Sequence, residues 1–171
     1  VCLPDEQKVL ILGAYGNKVD FYEVKGALEM LFKVLNLPEV DFTAVSDETS
    51  FHPGRTAKLY AGQTEIGILG EIHPTVADNY SIGDKVYVAK LNIEAMYTSV
   101  SEEKMYHQLP KFPAVTRDLS MLCDEALPVA AIKKAIEAGV GDILESIELF
   151  DVYRGSQIPE GKKSVAYSFT L

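Results

Sequence analysis

The stretch KFPAVTRDLSMLCD, residues 111–124, marks the boundary between two predicted domains. Its first part lies between Pro110 and Pro113, and because proline fixes φ and lacks a backbone donor, this part predicts an extended connector. Its second part, LSMLCD, is a short apolar run with little polar alternation, which is typical of a strand covered on at least one face. We therefore predict one domain over residues 1–106 and a second over residues 107–171.

The second domain predicts the order strand, helix, strand, strand. After the first strand, Pro128 stands at a plausible first helical position, apolar residues recur on one helical face, and Gly139 is the predicted helix end. Residues 143–153 predict a long strand whose alternation slips near Phe150, which indicates a bulge. Residues 165–171 alternate with a period of two, as a strand does. This order is the beginning of a split βαβ, or ferredoxin-like, unit.

The first domain predicts an α+β fold with a mainly antiparallel sheet. An amphipathic helix begins after Asp20 and ends near Asn36. A turn at Gly62-Gln63 predicts a hairpin, and residues 98–104 are polar and charged, which predicts a surface crossing towards the connector. The strands of this domain are predicted over residues 8–15, 40–45, 57–61, 65–71 and 85–93, with a short helix over residues 74–80.

The chain is acidic, with 16 Lys and Arg against 25 Asp and Glu and a net charge of −9. Residues 1–106 carry nine basic and sixteen acidic residues, a net of −7, and residues 107–171 carry seven and nine, a net of −2. Neither half has the basic footprint of a free-standing nucleic-acid binder, so charge alone argues against RNA as a partner. The second half is much less acidic, however, and this permits a modest local basic patch.

Composition disfavours several other classes of protein. No apolar run approaches the roughly 20 residues that span a membrane, and residues 1–12 lack the basic start and cleavage site of a secretory signal. Cys2 and Cys123 form no metal-ligand spacing with each other or with the three histidines, so we expect buried thiols in a reducing cytoplasm and no metal site. Because the chain begins without Met, we expect it to be part of a longer polypeptide.

Three short segments of the first domain are candidates for chemistry. In His52-Pro-Gly-Arg55 the guanidinium suits a carboxylate or phosphate ligand, but the alternative, which we favour, is a tight turn tied by His52 and Arg55 to a neighbouring carbonyl or carboxylate. His73 is predicted to close a loop onto a helix start. The glycines Gly67 and Gly70 lie in a strand pattern and open no helix, so we do not expect them to hold a phosphate.

Six segments of the sequence carry a family resemblance. The blocks KFPAVTRDLSML, LFDVYRG and GKKSVAYSFTL resemble, in order and spacing, the C-terminal anticodon-binding domain of the bacterial phenylalanyl-tRNA synthetase β subunit. The blocks VDFYEVKGALEMLF, FHPGRTA and IGILGEIHP resemble a preceding part of the same subunit. The resemblance implies an antiparallel-sheet, class II synthetase-like module that is catalytically degenerate, followed by a ferredoxin-like anticodon-binding domain. The family's domain continues for some thirty residues past Leu171, so we expect this one to be incomplete.

The resemblance also implies the biochemical setting. The family is a cytoplasmic (αβ)₂ heterotetramer that joins phenylalanine to tRNA(Phe) with ATP and Mg²⁺, and the α subunit carries that chemistry. Class II sites use arginines to hold ATP, whereas Arg55 is the only arginine in residues 1–106. We therefore expect this chain to hold no cofactor and no metal, to contact the catalytic α subunit and tRNA, and to bind neither DNA nor a membrane.

The predicted tRNA contacts lie in the second domain. RNA loops are bound by cations on phosphates and by aromatic rings that stack on bases. Tyr153 is the best stacking candidate, and the predicted phosphate contacts are the cations at strand ends and loops: Lys111, Arg117, Arg154, Lys162 and Lys163. For Arg117 a structural pairing with a carboxylate is an open alternative.

A different class of function also fits a ferredoxin-like unit, namely an amino-acid-sensing regulatory module, which the acidic charge would suit better than RNA. Such modules seat ligands in a glycine-bearing loop between the first strand and the first helix. Residues 123–127, CDEAL, contain no glycine, and this disfavours the sensing function.

Overall fold

The computed structural model describes residues 6–100 and 113–171. The chain divides into two compact units, Val1–Met105 and Tyr106–Leu171, which we call the first and the second unit. Each unit contains an antiparallel sheet with helices, in agreement with the predicted α+β class. Among the described residues, no helix is both long enough and apolar enough to cross a membrane.

The first unit is built on one five-stranded antiparallel sheet. Its elements are β1 (Val9–Tyr15), α1 (Phe21–Val34), β2 (Val40–Ala44), β3 (Phe51–Ala61), β4 (Thr64–Ile72), α2 (Pro74–Asn79), β5 (Val86–Asn92) and α3 (Ile93–Ser99). The strand order is β1-β5-β4-β3-β2, so β4 lies at the centre. Leu59, Leu69 and Leu91 from the three inner strands are fully buried and pack with Leu28 of α1.

The ends of α1 follow from the residues that flank it. The Asp20 carboxylate accepts a hydrogen bond from the Glu23 amide at 2.9 Å, which satisfies one of the free donors of the first turn. Asn36 adopts a positive φ of 57° just after the helix, a conformation that asparagine tolerates and that stops further helical turns. Between these ends the helix buries Val24, Leu28 and Phe32. The predicted helix is thereby confirmed.

The β3–β4 hairpin is longer than predicted. Its turn at Gly62, with φ of 61°, is where the sequence placed it. However, β3 begins at Phe51, so the segment predicted as a loop and turn belongs to the strand. The pairing with β4 is irregular between Phe51 and Thr56, and this irregularity accommodates the local turn at His52 within a continuous strand.

The sequence prediction missed α3. The surface crossing predicted over residues 98–104 overlaps it at residues 98 and 99, and residues 101–104 of that prediction lie outside the described residues. The side chain of Asn92 accepts hydrogen bonds from the amides of Glu94 and Ala95 at 3.0 and 3.1 Å, and so starts a helix directly at the end of β5. Met96 is buried against the core and anchors this short helix.

The second unit follows the predicted order of strand, helix, strand, strand. Its elements are β6 (Thr116–Asp124), α4 (Val129–Val140), β7 (Ser146–Tyr153) and β8 (Lys162–Thr170). β8 lies between β6 and β7 and is antiparallel to both, so β6 and β7 are parallel to each other. Two parallel strands separated by a third are the split βαβ arrangement of ferredoxin-like folds.

The predicted end of the helix and the predicted start of the strand that follows it are wrong. The helix does not end at Gly139 but continues to Val140, and the positive φ of 65° at Gly141 ends it. A short 3₁₀ turn over Gly141–Ile143 then takes up residues predicted as strand, so β7 begins at Ser146. The predicted bulge is confirmed, because the pairing of β7 with β8 shifts between Leu149 and Asp151.

Helix α4 packs on one face of the three-stranded sheet. Ile132 contacts the fully buried Val165 and Tyr167 of β8, and the Tyr167 hydroxyl donates to the Val129 carbonyl at 2.6 Å. Because side chains alternate along a strand, the neighbouring residues of β8 and their register partners lie on the other face. We call it the outer face; it contains Asp118, Ser120, Leu122, Glu148, Asp151, Tyr153, Ser164, Ala166 and Ser168.

Candidate functional site

One end of the three-stranded sheet gathers charges from three strand ends. β6 ends there, β7 ends there and β8 begins there. We call the resulting cluster the charged end; it consists of Asp124, Glu125, Arg154, Lys162 and Lys163. It brings three cations and two carboxylates together in an otherwise acidic chain.

Two cations of the charged end are paired at the surface. Lys162 Nζ lies 2.5 Å from Asp124 Oδ1, and Arg154 Nε lies 2.8 Å from Glu125 Oε1. The hydrogen bond raises the pKa of the Lys162 ammonium and lowers the pKa of the Asp124 carboxyl. All four side chains are between 45% and 73% exposed. Exposed pairs are screened by water and exchange readily, so both cations remain available to an external anion.

Lys163 has a different environment from its neighbour. Its side chain lies on the α4 face, next to Cys123, and is only 6% exposed. Its Nζ donates to the backbone carbonyl of Glu125 at 2.8 Å, which ties the start of the β6–α4 connection to β8. This lysine therefore supports the loop, and its ammonium is not presented to solvent as that of Lys162 is.

Tyr153 lies on the outer face beside the charged end. Its register partner is Ser164 in β8, and the ring is 43% exposed. The Ser164 hydroxyl lies 3.2 Å from that of Ser120 in β6, so a pair of hydroxyls lies on the same face. Asp151 shares the same face two residues earlier in β7. An aromatic surface, hydroxyls and two exchangeable cations thus meet at one place.

Arg117, another predicted cation, does not join this cluster. Arg117 lies near the opposite end of β6, seven residues or roughly 23 Å from Asp124 along the strand, and its register partner is Phe169 on the α4 face. Its Nη1 donates to the Thr116 carbonyl at 3.2 Å. Lys111 lies outside the described residues.

In the first unit, the predicted carboxylate partner of Arg55 is confirmed, whereas Pro53 and Gly54, predicted as a tight turn, lie within β3. His52 Nδ1 accepts from the Gly54 amide at 3.0 Å, and Arg55 Nη1 donates to Glu71 Oε2 at 2.6 Å. The Tyr87 hydroxyl donates to the same carboxylate oxygen at 3.0 Å. His73 also has its predicted role, because its Nδ1 accepts from the Thr75 amide at the start of α2.

The glycines of β4 are required by strand packing. A Cβ at Gly67 would lie 2.8 Å from Leu91 Cδ2 and 3.0 Å from Leu91 Cα, and closer still to the Lys90 carbonyl oxygen. A Cβ at Gly70 would lie 2.7 Å from Thr56 Oγ1. At both glycines, the space that a side chain would need is therefore taken up by neighbouring strands. Neither glycine precedes a helix whose amides could bind a phosphate.

Arg55 lines a cavity of about 440 Å³ together with Asp20, Phe21, Phe42 and Tyr87, among others. The guanidinium charge is balanced by the buried Glu71 carboxylate, and the Asp20 carboxylate adds negative charge to the wall. The triphosphate of ATP needs an excess of positive charge, which this wall does not supply.

Because of the Glu71 carboxylate, we expect the stability of the first unit to fall at acidic pH. Burial alone would raise the pKa of Glu71, but the hydrogen bonds from Arg55 and Tyr87 and the Arg55 charge outweigh it, so the pKa lies below the ordinary 4.5. A lowered pKa in the folded state means that this stabilisation is present above pH 4.5 and lost as pH falls through the folded pKa. We expect the difference in Tm between the wild type and Glu71→Gln to shrink as the pH falls from 7 through the lowered folded pKa, below 4.5. A constant difference across that range would contradict this prediction.

Comparison with known proteins decides the family. A family model described as the phenylalanyl tRNA synthetase beta chain CLM domain matches residues 2–93, and one described as the ferredoxin-fold anticodon binding domain matches residues 110–171. The chain is 49% identical over 166 residues to the phenylalanine–tRNA ligase β subunit of Clostridium tetani and 44% identical over 168 residues to that of Clostridium acetobutylicum.

The chain belongs to the phenylalanyl-tRNA synthetase β-chain family.

The match to this family covers nearly the whole chain but only part of its relatives. The two clostridial alignments include 97% and 98% of this chain and 21% of each relative. A third β subunit, from Symbiobacterium thermophilum, is 37% identical, with 96% of this chain and 20% of the relative covered. The chain thus spans about a fifth of the length of these synthetase β subunits.

Within this synthetase family fold, the sequence alone missed the partners of the predicted cations. Asp124 and Glu125 lie 38 and 29 residues from the cations they bind, and no local spacing indicates these pairs. Ser164 was also missed as the register partner of Tyr153, because the predicted strand began only at residue 165, whereas β8 begins at Lys162.

Proposed function

We propose that this chain is part of the β subunit of a cytoplasmic phenylalanine–tRNA ligase, and that its second unit contacts the anticodon region of tRNA(Phe). Family membership and the match of residues 110–171 to a ferredoxin-fold anticodon-binding domain support this function. The observation that carries the location of the contact is the meeting of Tyr153, Lys162 and Arg154 at one end of the outer face.

The proposed contact divides the work between charge and stacking. Lys162 and Arg154 hold phosphates, because their ion pairs with Asp124 and Glu125 are exposed and exchangeable. Tyr153 stacks on an unpaired base, and the adjacent Ser164 hydroxyl and Asp151 carboxylate are placed to hydrogen-bond base edges. Lys163, whose ammonium is bound to a backbone carbonyl, and Arg117, which lies at the other end of β6, take no part in this contact.

The net charge of the chain bears on how strongly it binds RNA by itself. With a net charge of −9, the chain has no long-range attraction for RNA, so we propose that it binds tRNA weakly alone and positions it within the assembled enzyme. In that enzyme, an (αβ)₂ heterotetramer, ATP and Mg²⁺ are used by the catalytic α subunit.

For the first unit we propose a class II synthetase-like module without catalysis, which packs against the α subunit. Two features support this function. Arg55, the only arginine of residues 1–106, is paired with Glu71. Neighbouring strands take up the space beside Gly67 and Gly70, where a side chain would lie. The unit keeps the antiparallel sheet, but the positive charge of Arg55, which ATP would require, is balanced by the Glu71 carboxylate.

The phosphate contacts are tested by removing both cations in the complete ligase. We expect Lys162→Ala with Arg154→Ala to weaken tRNA binding and to flatten its salt dependence by roughly one to two counterions, because each neutralised phosphate contributes a little under one. Filter binding between about 50 and 200 mM salt measures the slope. Activation of phenylalanine with ATP, assayed without tRNA, should be unchanged.

The matched control removes the same charge from α4. Lys133→Ala with Lys134→Ala takes two cations from the helix on the opposite face of the sheet, and it should leave the slope unaltered. If both double variants change the slope equally, the effect is one of net charge, and the contact at the charged end is excluded.

A further inference from the structure

The ring of Tyr153 is folded back over the glycine that follows it by two residues. A Cβ built on Gly155 would lie 2.9 Å from Tyr153 Cε1, and closer still to its Cζ and hydroxyl oxygen. Carbon atoms do not approach each other this closely, so no other residue type fits under the ring in this position. The outer half of the tyrosine therefore occupies the space that a side chain at position 155 would need.

The backbone does not itself require glycine at this position. The glycines with positive φ are Gly16, Gly62, Gly141 and Gly161, and Gly155 is not among them. An alanine would thus meet no strain in the main chain. The three heavy atoms nearest to a Cβ built at position 155 all belong to the side chain of Tyr153.

A side chain at position 155 would overlap the end of the Tyr153 side chain, which is able to move. Tyr153 is 43% exposed, and the atoms nearest to the built Cβ are those at the far end of its side chain. A rotation about χ1 would carry the ring into solvent and relieve the overlap. A side chain at position 155 would consequently cost the fold little, but it would change where the aromatic ring lies.

We propose that Gly155 is a positioning residue for RNA: it seats the Tyr153 ring on the bare backbone after β7, so that the other ring face is held ready for an unpaired base. This inference rests on the proposed function. It adds that the backbone at Gly155 holds the ring in its binding position before RNA binds. A seated ring loses less rotamer freedom on binding than a free one, which is worth about two- to tenfold in affinity for one immobilised side chain.

The test is Gly155→Ala in the complete ligase, in the wild-type background and in a Tyr153→Ala background. We expect the substitution to weaken tRNA(Phe) binding about two- to tenfold when Tyr153 is present and to have no further effect when Tyr153 is absent. The Tm and the rate of phenylalanine activation without tRNA should stay at wild-type values, so that the loss appears in the KM for tRNA alone. Gly139→Ala is the matched control, because a Cβ there meets nothing within 4 Å.

The outcomes separate this inference from the proposed function. If Tyr153→Ala leaves tRNA affinity unchanged, stacking by this ring is excluded and the inference fails with it. If Tyr153→Ala weakens binding but Gly155→Ala does not, the proposed contact stands and the positioning role is refuted. The positioning role is also refuted if Gly155→Ala weakens binding equally in both backgrounds or markedly lowers the Tm. Either result would show that the glycine acts by some means other than the position of the Tyr153 ring.

Discussion

Gly67→Ala is expected to lower the free energy of unfolding of the first unit by about 3 kcal/mol, the upper part of the range for an overfilled interior. Gly67 lies in β4, the central strand, opposite the fully buried Leu91 of β5. The new methyl group would overlap the Lys90 carbonyl oxygen and approach Leu91 Cα to 3.0 Å. These are backbone atoms held by ladder hydrogen bonds, so they cannot move aside as an exposed side chain can.

The control for this prediction is Gly13→Ala, another glycine-to-alanine change in a strand of the same sheet. Gly13 lies in the edge strand β1, and a Cβ there meets nothing within 4 Å. We expect a change of no more than about 0.5 kcal/mol. Urea unfolding followed by circular dichroism measures both. Similar midpoints for the two variants would show that close strand packing is not the reason for glycine at position 67, and a ligand-binding role for this stretch would have to be reconsidered.

Tyr153→Ala is expected to reduce the affinity of the complete ligase for tRNA(Phe) by about 1–3 kcal/mol, which is the usual value for one base stacked on an aromatic ring. This corresponds to roughly five- to 150-fold in Kd. Because stacking uses the ring face, Tyr153→Phe should retain most of the affinity. The ring is partly exposed and lies at a strand end, so Tm should change little in either variant.

Binding must be compared at one salt concentration, because the phosphate contacts make affinity strongly salt-dependent. Tyr80→Ala is the control for losing an exposed tyrosine, since Tyr80 is 76% exposed and lies after α2 in the first unit. If Tyr153→Ala and Tyr80→Ala bind tRNA equally well, the outer face of the second unit is not where a base stacks.

Local sequence determined the elements whose signals are local. Asp20 and Asn36 mark the ends of α1, because a capping carboxylate and a tolerated positive φ act within one helical turn. The glycine turn at Gly62 and the bulge near Phe150 follow from backbone geometry in the same way. The family resemblance was also present in the sequence, because it rests on blocks of residues whose order is visible without a structure.

Tertiary structure alone decided which charged groups are available. Lys162 and Lys163 are adjacent in sequence and chemically identical, yet one is half exposed and the other buried, because pairing with β6 extends β8 back to Lys162 and turns the two to opposite faces. The ion pairs of Lys162 and Arg154 join residues 38 and 29 positions apart.

The packing of the glycines was decided in the same way. The neighbours that require glycine at Gly67 come from β5, more than twenty residues later in the chain. Periodicity reports which face a residue takes within its own element, whereas the identity of its neighbours depends on strand order and register. Those are fixed only when distant segments pair, and so the fold was readable from the sequence while the composition of the site was not.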